Sequence, residues 1–157
     1  MISQIIGNFP LMAALAGVVL AQVLKLPVHA LTEGKVDVSR IISTGGMPSS
    51  HASFVVALVT ALILTYGWAH PLVAIAIVFG AIVMYDAFGI RRESGKQATV
   101  INALTEEIDS VPKEVGGVLS SGNRGENLEE LLGHEPIEIA AGAVLGVVTA
   151  LLLFRLY

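Results

Sequence analysis

The chain has 157 residues, of which 54% are hydrophobic and only 14% are charged, whereas a soluble domain carries roughly 25% charged residues. This composition excludes an ordinary soluble domain and favours one membrane domain spanning residues 1–157. The net charge of -4 argues against nucleic acid as a partner, and the absence of cysteine excludes disulfides and thiolate metal sites.

Four apolar stretches predict an all-α integral membrane bundle of about four transmembrane helices. In chain order they are residues 5–24, 51–66, 72–88 and 137–157. The first and last reach the roughly 20 residues that the hydrocarbon core requires. The two middle stretches are shorter, so a re-entrant or buried hairpin is an alternative to two crossings. Trp68 and His70 in the turn between them suit a headgroup boundary and favour crossing.

A polar segment, residues 89–136, follows the third stretch and is predicted to be a loop. Within it Gln97, Ile101, Leu104 and Ile108 recur at helical spacing. This pattern predicts a short amphipathic helix that lies along the bilayer surface or caps the bundle.

The distribution of basic residues predicts the orientation of the bundle. With four crossings, loops 25–50 and 89–136 lie on the same side of the membrane. These loops carry eight of the nine Lys and Arg residues, namely Lys25, Lys35, Arg40, Arg91, Arg92, Lys96, Lys113 and Arg124. Only Arg155 lies opposite, so the positive-inside rule places the polar loops in the cytoplasm.

The first polar motif, residues 45–53, comes directly before the second apolar stretch. A proline and serines suit the first turn of a helix, where free backbone N–H groups attract an anion such as phosphate. Ser49 and Ser50 therefore lie where a phosphate would fit, and His51 is a candidate general acid for a leaving oxygen. The alternative is a glycine-rich loop with an ordinary serine cap and an interfacial histidine.

The second motif closes the third stretch with Asp86, Arg91 and Arg92. Arginines at a helix C-terminus are favourable to the helix dipole without any further role, but they also bind phosphate oxygens bidentately. A carboxylate at the end of a membrane helix needs a partner. Asp86 is therefore predicted to pair with one of the arginines or with Lys25.

The third motif places His134 and Glu138 four residues apart at the start of the fourth stretch. In a helix that begins by His134 both side chains lie on one face, where the carboxylate would raise the basicity of an imidazole nucleophile or base. A surface salt pair is the alternative.

A metal site is a weaker interpretation of these histidines and carboxylates. The chain lacks the dense ligand spacing of a zinc-binding helix, and cations gathered around two histidines suit an anion better than a metal. We therefore predict no metal and no cofactor.

Together the three motifs resemble the divergent branch related to type 2 phosphatidic acid phosphatases and vanadium-dependent haloperoxidases, small membrane proteins of bacteria and plastids. The resemblance covers nearly the whole chain. It depends on residues 45–51, on Tyr85-Asp86-Ala87-Phe88-Gly89-Ile90-Arg91-Arg92, and on residues 132–138. It implies a multi-pass protein of a bacterial cell membrane.

In the parent superfamily, phosphate is transferred to a histidine and then to water, without a metal. Residues 48–51 resemble its Pro-Ser-Gly-His signature, which implies His51 as the acid and Ser49 as a phosphate ligand. His134 and Glu138 resemble its His-x-x-x-Asp pair, which implies a nucleophile and the residue that orients it. Lys25 resembles the early phosphate-binding lysine.

The chain departs from that signature at three positions. Ser50 replaces a glycine, Glu138 replaces an aspartate, and Leu128 stands where the superfamily has an arginine. Arg91 or Arg92 would then supply the missing charge from another helix.

The predicted function is hydrolysis of a lipid phosphomonoester or diphosphate through a phosphohistidine. The predicted partners are the phosphorylated lipid substrate and the lipids of the membrane. A non-catalytic protein that binds or carries a phosphorylated lipid headgroup is the alternative, and a structural bundle component is a third. Short helices rich in Gly and Ala also favour packing against a second copy of the chain.

Overall fold

The computed structural model describes residues 2–33, 46–109 and 135–157, and these form helices joined by turns. The helices are α1 (Ile2–Ile6), α2 (Phe9–Glu33), α3 (Ser50–Tyr66), α4 (Pro71–Tyr85), α5 (Arg91–Asp109) and α6 (Pro136–Phe154). A π-helical segment, Asp86–Ile90, joins α4 to α5. The predicted all-α membrane bundle is confirmed.

Three helical stretches in the described ranges are long and apolar enough to cross a membrane: Phe9–Leu31, Pro71–Glu106 and Pro136–Phe154. Helix α3 is also apolar but has only 17 residues, which is about 26 Å at a rise of ~1.5 Å per residue. For α3, a full crossing and a re-entrant hairpin therefore both stay predictions.

Helix α3 packs against α2, α4 and α6 and so lies at the centre of the bundle. Small residues permit this arrangement. A Cβ atom added at Gly17 of α2 would lie 3.0 Å from the carbonyl oxygen of Ser53, and one added at Gly146 of α6 would lie 2.6 Å from the same atom. The Ser53 hydroxyl donates to the Gly17 carbonyl at 2.9 Å. Close backbone approach of this kind is typical of helix packing in membranes.

The large apolar side chains point outward instead of filling the centre. Ile75, Val78 and Ile82 of α4 and Val144 and Leu152 of α6 are each more than half exposed. Alanines 13, 57, 61 and 150 occupy the interior. An apolar exterior around a core of small residues is what lipid tails require of a membrane bundle.

The contacts along α3 show which helix ends lie together. Phe9, at the start of α2, stacks against Phe154 at the end of α6, with ring centroids 5.5 Å apart. A Cβ atom at Gly80, near the end of α4, would lie 3.5 Å from Val55, near the start of α3. The last turns of α2 and α4 therefore lie at the same end as the first turns of α3 and α6, and we term this the polar end.

Helix α2 runs past Leu24, where the first apolar stretch was predicted to end, and continues to Glu33. Lys25 therefore lies within a helix and not in a loop. The residue is 2% exposed, and Glu138 attracts its charge electrostatically. Pro27 is likewise accommodated inside the helix.

The segment predicted as a loop from residue 89 is helical up to Asp109, because the π-helical segment carries the helix past Gly89. The predicted amphipathic helix forms part of α5. Its apolar residues Ile101 and Leu104 are about half exposed, whereas Ala98 is buried. Whether this helix lies along the bilayer surface or caps the bundle stays a prediction.

The turn between α3 and α4 is stabilised by His70, the N-cap of α4. Its Nδ1 accepts the Leu72 N–H at 3.2 Å, and its ring stacks on Tyr66 with a centroid distance of 4.8 Å. We expect His70→Ala to lower the free energy of unfolding in detergent micelles by about 1 kcal/mol, because the helix loses a capping acceptor. His70→Asn keeps an acceptor at the cap and serves as the control. An equal loss in both variants would contradict the capping role.

Candidate functional site

Three polar residues from distant parts of the chain lie at the polar end. Lys25 comes from α2, Ser49 precedes α3 and Glu138 lies in the first turn of α6. The carboxylate of Glu138 attracts the ammonium group of Lys25. The Ser49 N–H donates to the main-chain carbonyl of Glu138 at 2.9 Å.

Ser49 is the N-cap of α3. Its Oγ accepts the Ala52 N–H at 3.3 Å, and its backbone is extended. A hydroxyl has one donor and two acceptor lone pairs, so the cap leaves the O–H of Ser49 able to donate. The serine cap is thus present, and the role of Ser49 and Ser50 as phosphate ligands stays a prediction. Both serines are buried, which places them away from bulk water.

Gly142 allows α6 to approach the start of α3. A Cβ atom at this position would lie 2.2 Å from the Ser49 carbonyl oxygen and 3.1 Å from the Ala52 side chain. Only the absence of a side chain permits that approach. The contact fixes Ser49 against α6 one turn beyond Glu138.

Glu138 lies in the first turn of α6, which begins at Pro136 with Glu135 as its N-cap. The predicted stacking of His134 on Glu138 stays a prediction. The Glu138 carboxylate accepts the Glu135 N–H at 3.0 Å and also the Gly46 N–H. His134 itself lies outside the described residues, so its role as nucleophile stays a prediction.

The remaining predicted residues fall at the polar end by the direction of their helices. His51 lies in the first turn of α3 and is half-buried. Asp86 begins the π-helical segment, where its backbone N–H donates to the Ile82 and Val83 carbonyls. Arg91 and Arg92 begin α5, and their side chains lie outside what the structure describes. The predicted pairing of Asp86 with an arginine or Lys25 stays a prediction.

Two features of this end were not predicted. The Oε1 atom of Gln22 is buried and has no hydrogen-bond partner in the part of the chain that the structure describes. Gln22 lies one helical turn before Lys25. The sequence could have pointed to it, because it is a polar residue inside an apolar stretch. The second feature is the π-helical segment Asp86–Ile90, a rare element that often marks functional sites. No composition rule predicts its position.

Metal-ligating side chains do not cluster in residues 2–33, 46–109 and 135–157, where no group of three or more His, Asp or Glu could hold an ion. The prediction of a metal-free site is not tested by this, since His134 lies outside those ranges.

Comparison with known proteins places the chain among small membrane proteins. The model of the family described as the divergent PAP2 family matches residues 6–149. The protein named "Uncharacterized membrane protein YuiD" of Bacillus subtilis (strain 168) is 40% identical over 152 residues, which cover 96% of each chain. No solved structure matches the chain.

Proposed function

The chain belongs to the divergent PAP2 family, and we propose that it is a membrane phosphatase that hydrolyses a lipid phosphomonoester or diphosphate through a phosphohistidine. One observation carries the proposal: the N-terminus of α3, where the Ser49 N–H donates to the Glu138 carbonyl, lies at the same end of the bundle as the buried Lys25, whose charge Glu138 attracts. A buried cation beside a helix N-terminus favours an anion. In this proposal the anion is the phosphate of the substrate.

The lipid nature of the substrate follows from the position of the site. The polar end terminates helices whose outer faces are apolar, which supports a site at the depth of the lipid headgroups. A lipid phosphate would reach this depth while its chain stays beside the exposed apolar residues of α4 and α6. The excess of basic residues in the polar loops favours the cytoplasmic side for this end.

In the proposed reaction a ring nitrogen of His134 attacks phosphorus, and the bond from phosphorus to the lipid oxygen breaks. His51 gives its proton to that oxygen, so a neutral alcohol leaves from a monoester. Water then attacks the phosphohistidine and gives a proton to His51, which releases orthophosphate and regenerates His134. Lys25, with Arg91 or Arg92, balances the charge of the transferred phosphoryl group.

Phosphate release without metal tests the proposal. The purified protein in micelles, with a metal chelator present, is expected to release orthophosphate from phosphatidate or from a prenyl diphosphate. A His134→Ala preparation, purified in the same way, controls for contaminating phosphatases. Release that is equal in both preparations, or absent from the unmodified protein with both substrates, would contradict the proposal.

A non-catalytic role in binding a phosphorylated lipid headgroup is the second candidate. It is favoured by the departures from the superfamily signature, where Ser50 replaces a glycine and Leu128 replaces an arginine. Binding of a lipid phosphate without turnover would support this role. That binding is then expected to weaken in Arg91→Ala and Arg92→Ala but not in His134→Ala.

A further inference from the structure

We propose that Gln22 of α2 sets the substrate preference of the site by accepting a hydrogen bond from a hydroxyl that the lipid carries close to its phosphate. The inference rests on the proposed function, because it requires the phosphate to lie beside the start of α3. It narrows the substrate class to lipid phosphates with a hydroxyl on the carbons next to the phosphate ester. A phosphate on a bare alkyl or prenyl chain lacks this donor.

The side-chain oxygen of Gln22 is a buried acceptor that the fold does not use. Its Oε1 atom is buried and has no hydrogen-bond partner in the described part of the chain. An unpaired buried acceptor has lost its hydration without compensation, and native proteins pair nearly all such atoms. An amide oxygen accepts and does not donate, so a ligand that pairs with it has to bring an O–H or N–H group.

Gln22 lies at the depth at which α3 begins. Helices α2 and α3 run in opposite directions and touch at Gly17, whose carbonyl accepts the Ser53 hydroxyl at 2.9 Å. Gln22 follows Gly17 by five residues and therefore lies level with the first turn of α3. Lys25, three residues later, is ~4.5 Å further toward the polar end. A phosphate bound between Lys25 and the N-terminus of α3 thus leaves the adjacent carbons of the lipid beside Gln22.

Gln22 and Lys25 share a flank of α2 that faces away from α6, which we term the polar flank. Phe9 of α2 stacks on Phe154 of α6, whereas Gly17 faces α3. At ~100° per residue, Phe9 lies to one side of Gly17, and Gln22 and Lys25 lie to the other. The contact with α6 therefore leaves the polar flank uncovered.

Helix α3 turns a matching face toward the polar flank. Its contacts with α2, α4 and α6 include Ser53, Val55 and Ala52, in that order. At ~100° per residue, the widest interval between these contacts runs from α2 to α4 and covers about half the circumference of α3. Ser50 and His51 both lie in this interval. The polar flank therefore borders the face of α3 that carries the proposed general acid.

Two substrates that differ by one hydroxyl test the proposal. A lysophosphatidate and its analogue without the glycerol hydroxyl are hydrolysed by the same preparation in the same micelles, so the ratio of rates does not depend on the folded fraction. The unmodified protein is expected to favour the lysophosphatidate about tenfold in kcat/KM, the effect of pairing one buried acceptor. Gln22→Met, which keeps an unbranched side chain but has no amide, is expected to lose this preference.

Gln4→Met provides the matched control, because it makes the same change at an exposed glutamine of α1, at the opposite end of the bundle. It is expected to keep the preference of the unmodified protein. Equal kcat/KM values for the two lipids in the unmodified protein, or a preference that persists in Gln22→Met, would overturn the inference and leave the proposed function standing.

Binding separates the two proposals if the unmodified protein releases no phosphate. The proposed function then fails, and the dissociation constants of the same two lipids take the place of kcat/KM. Tighter binding of the lysophosphatidate that is lost in Gln22→Met but kept in Gln4→Met would support Gln22 as the ligand of the hydroxyl in a non-catalytic site. Equal dissociation constants, or no binding of either lipid, would overturn the inference.

Discussion

Gly142→Ala is expected to push α6 away from α3 and to destabilise the whole polar end. The new Cβ atom would lie 2.2 Å from the Ser49 carbonyl oxygen, and this oxygen belongs to the backbone, which cannot rotate away as a side chain does. Overpacking in a close-packed interior costs about 1–3 kcal/mol and occasionally more. We expect the upper part of that range, measured by denaturant unfolding in micelles. Phosphate release is expected to fall as well, because Ser49 loses its position.

Gly80→Ala provides a matched control for this prediction. Gly80 also lies at a helix interface, between α4 and α3, but its added Cβ atom would lie 3.5 Å from Val55, an ordinary van der Waals distance. We expect its unfolding free energy to stay within about 1 kcal/mol of the unmodified protein. If Gly142→Ala is as stable as Gly80→Ala, α6 does not approach α3 as closely as the structure shows.

Hydropathy sufficed to predict the helical bundle but not the limits of its helices. A run of apolar residues shows where a helix has to cross a membrane, since unpaired backbone groups in lipid are costly. It does not show how far the helix continues. The charge of Lys25 ends the apolar stretch in the sequence, yet α2 continues past it to Glu33. The attraction that Glu138 exerts on this buried charge comes from a residue distant in sequence, which a single sequence does not reveal.

The count of crossings predicts that the polar motifs converge, and the structure joins Ser49 of the first motif to Glu138 of the third by a main-chain hydrogen bond. Whether Glu138 shares a helix face with His134 was not predictable in the same way, because it depends on where α6 begins. A proline is favoured at the first position of a helix, so Pro136 was the available signal for a start after His134. A helix has ~3.6 residues per turn. Two side chains four residues apart share a face only if both belong to the helix, so the position of its first residue decides which side chains lie together.

His51→Ala is expected to slow hydrolysis of a lipid phosphomonoester about 100-fold or more, the usual contribution of a general acid. The effect is expected to depend on the leaving group. An alkyl alkoxide is a poor leaving group and needs the proton from His51, whereas the phenolate of p-nitrophenyl phosphate leaves without one. The ratio of the two rates, measured in the same preparation, therefore reports the role of His51 and is insensitive to the fraction of folded protein.

His134→Ala is expected to abolish hydrolysis of both substrates, because a nucleophile is needed whatever group leaves. Rapid quenching of the unmodified protein with labelled substrate is expected to trap a phosphoenzyme that is stable in alkali and labile in acid, as a phosphohistidine is. His70→Asn, which alters a histidine at the opposite end of α3, is expected to match the unmodified protein in both assays. Hydrolysis that survives His134→Ala would rule out this histidine as the nucleophile. An equal loss in the rate of phosphoenzyme formation from both substrates in His51→Ala would rule out its role as the acid, because in that step only the alkyl leaving group requires the proton. The later hydrolysis of the phosphohistidine, in which His51 receives a proton from water, is the same for both substrates.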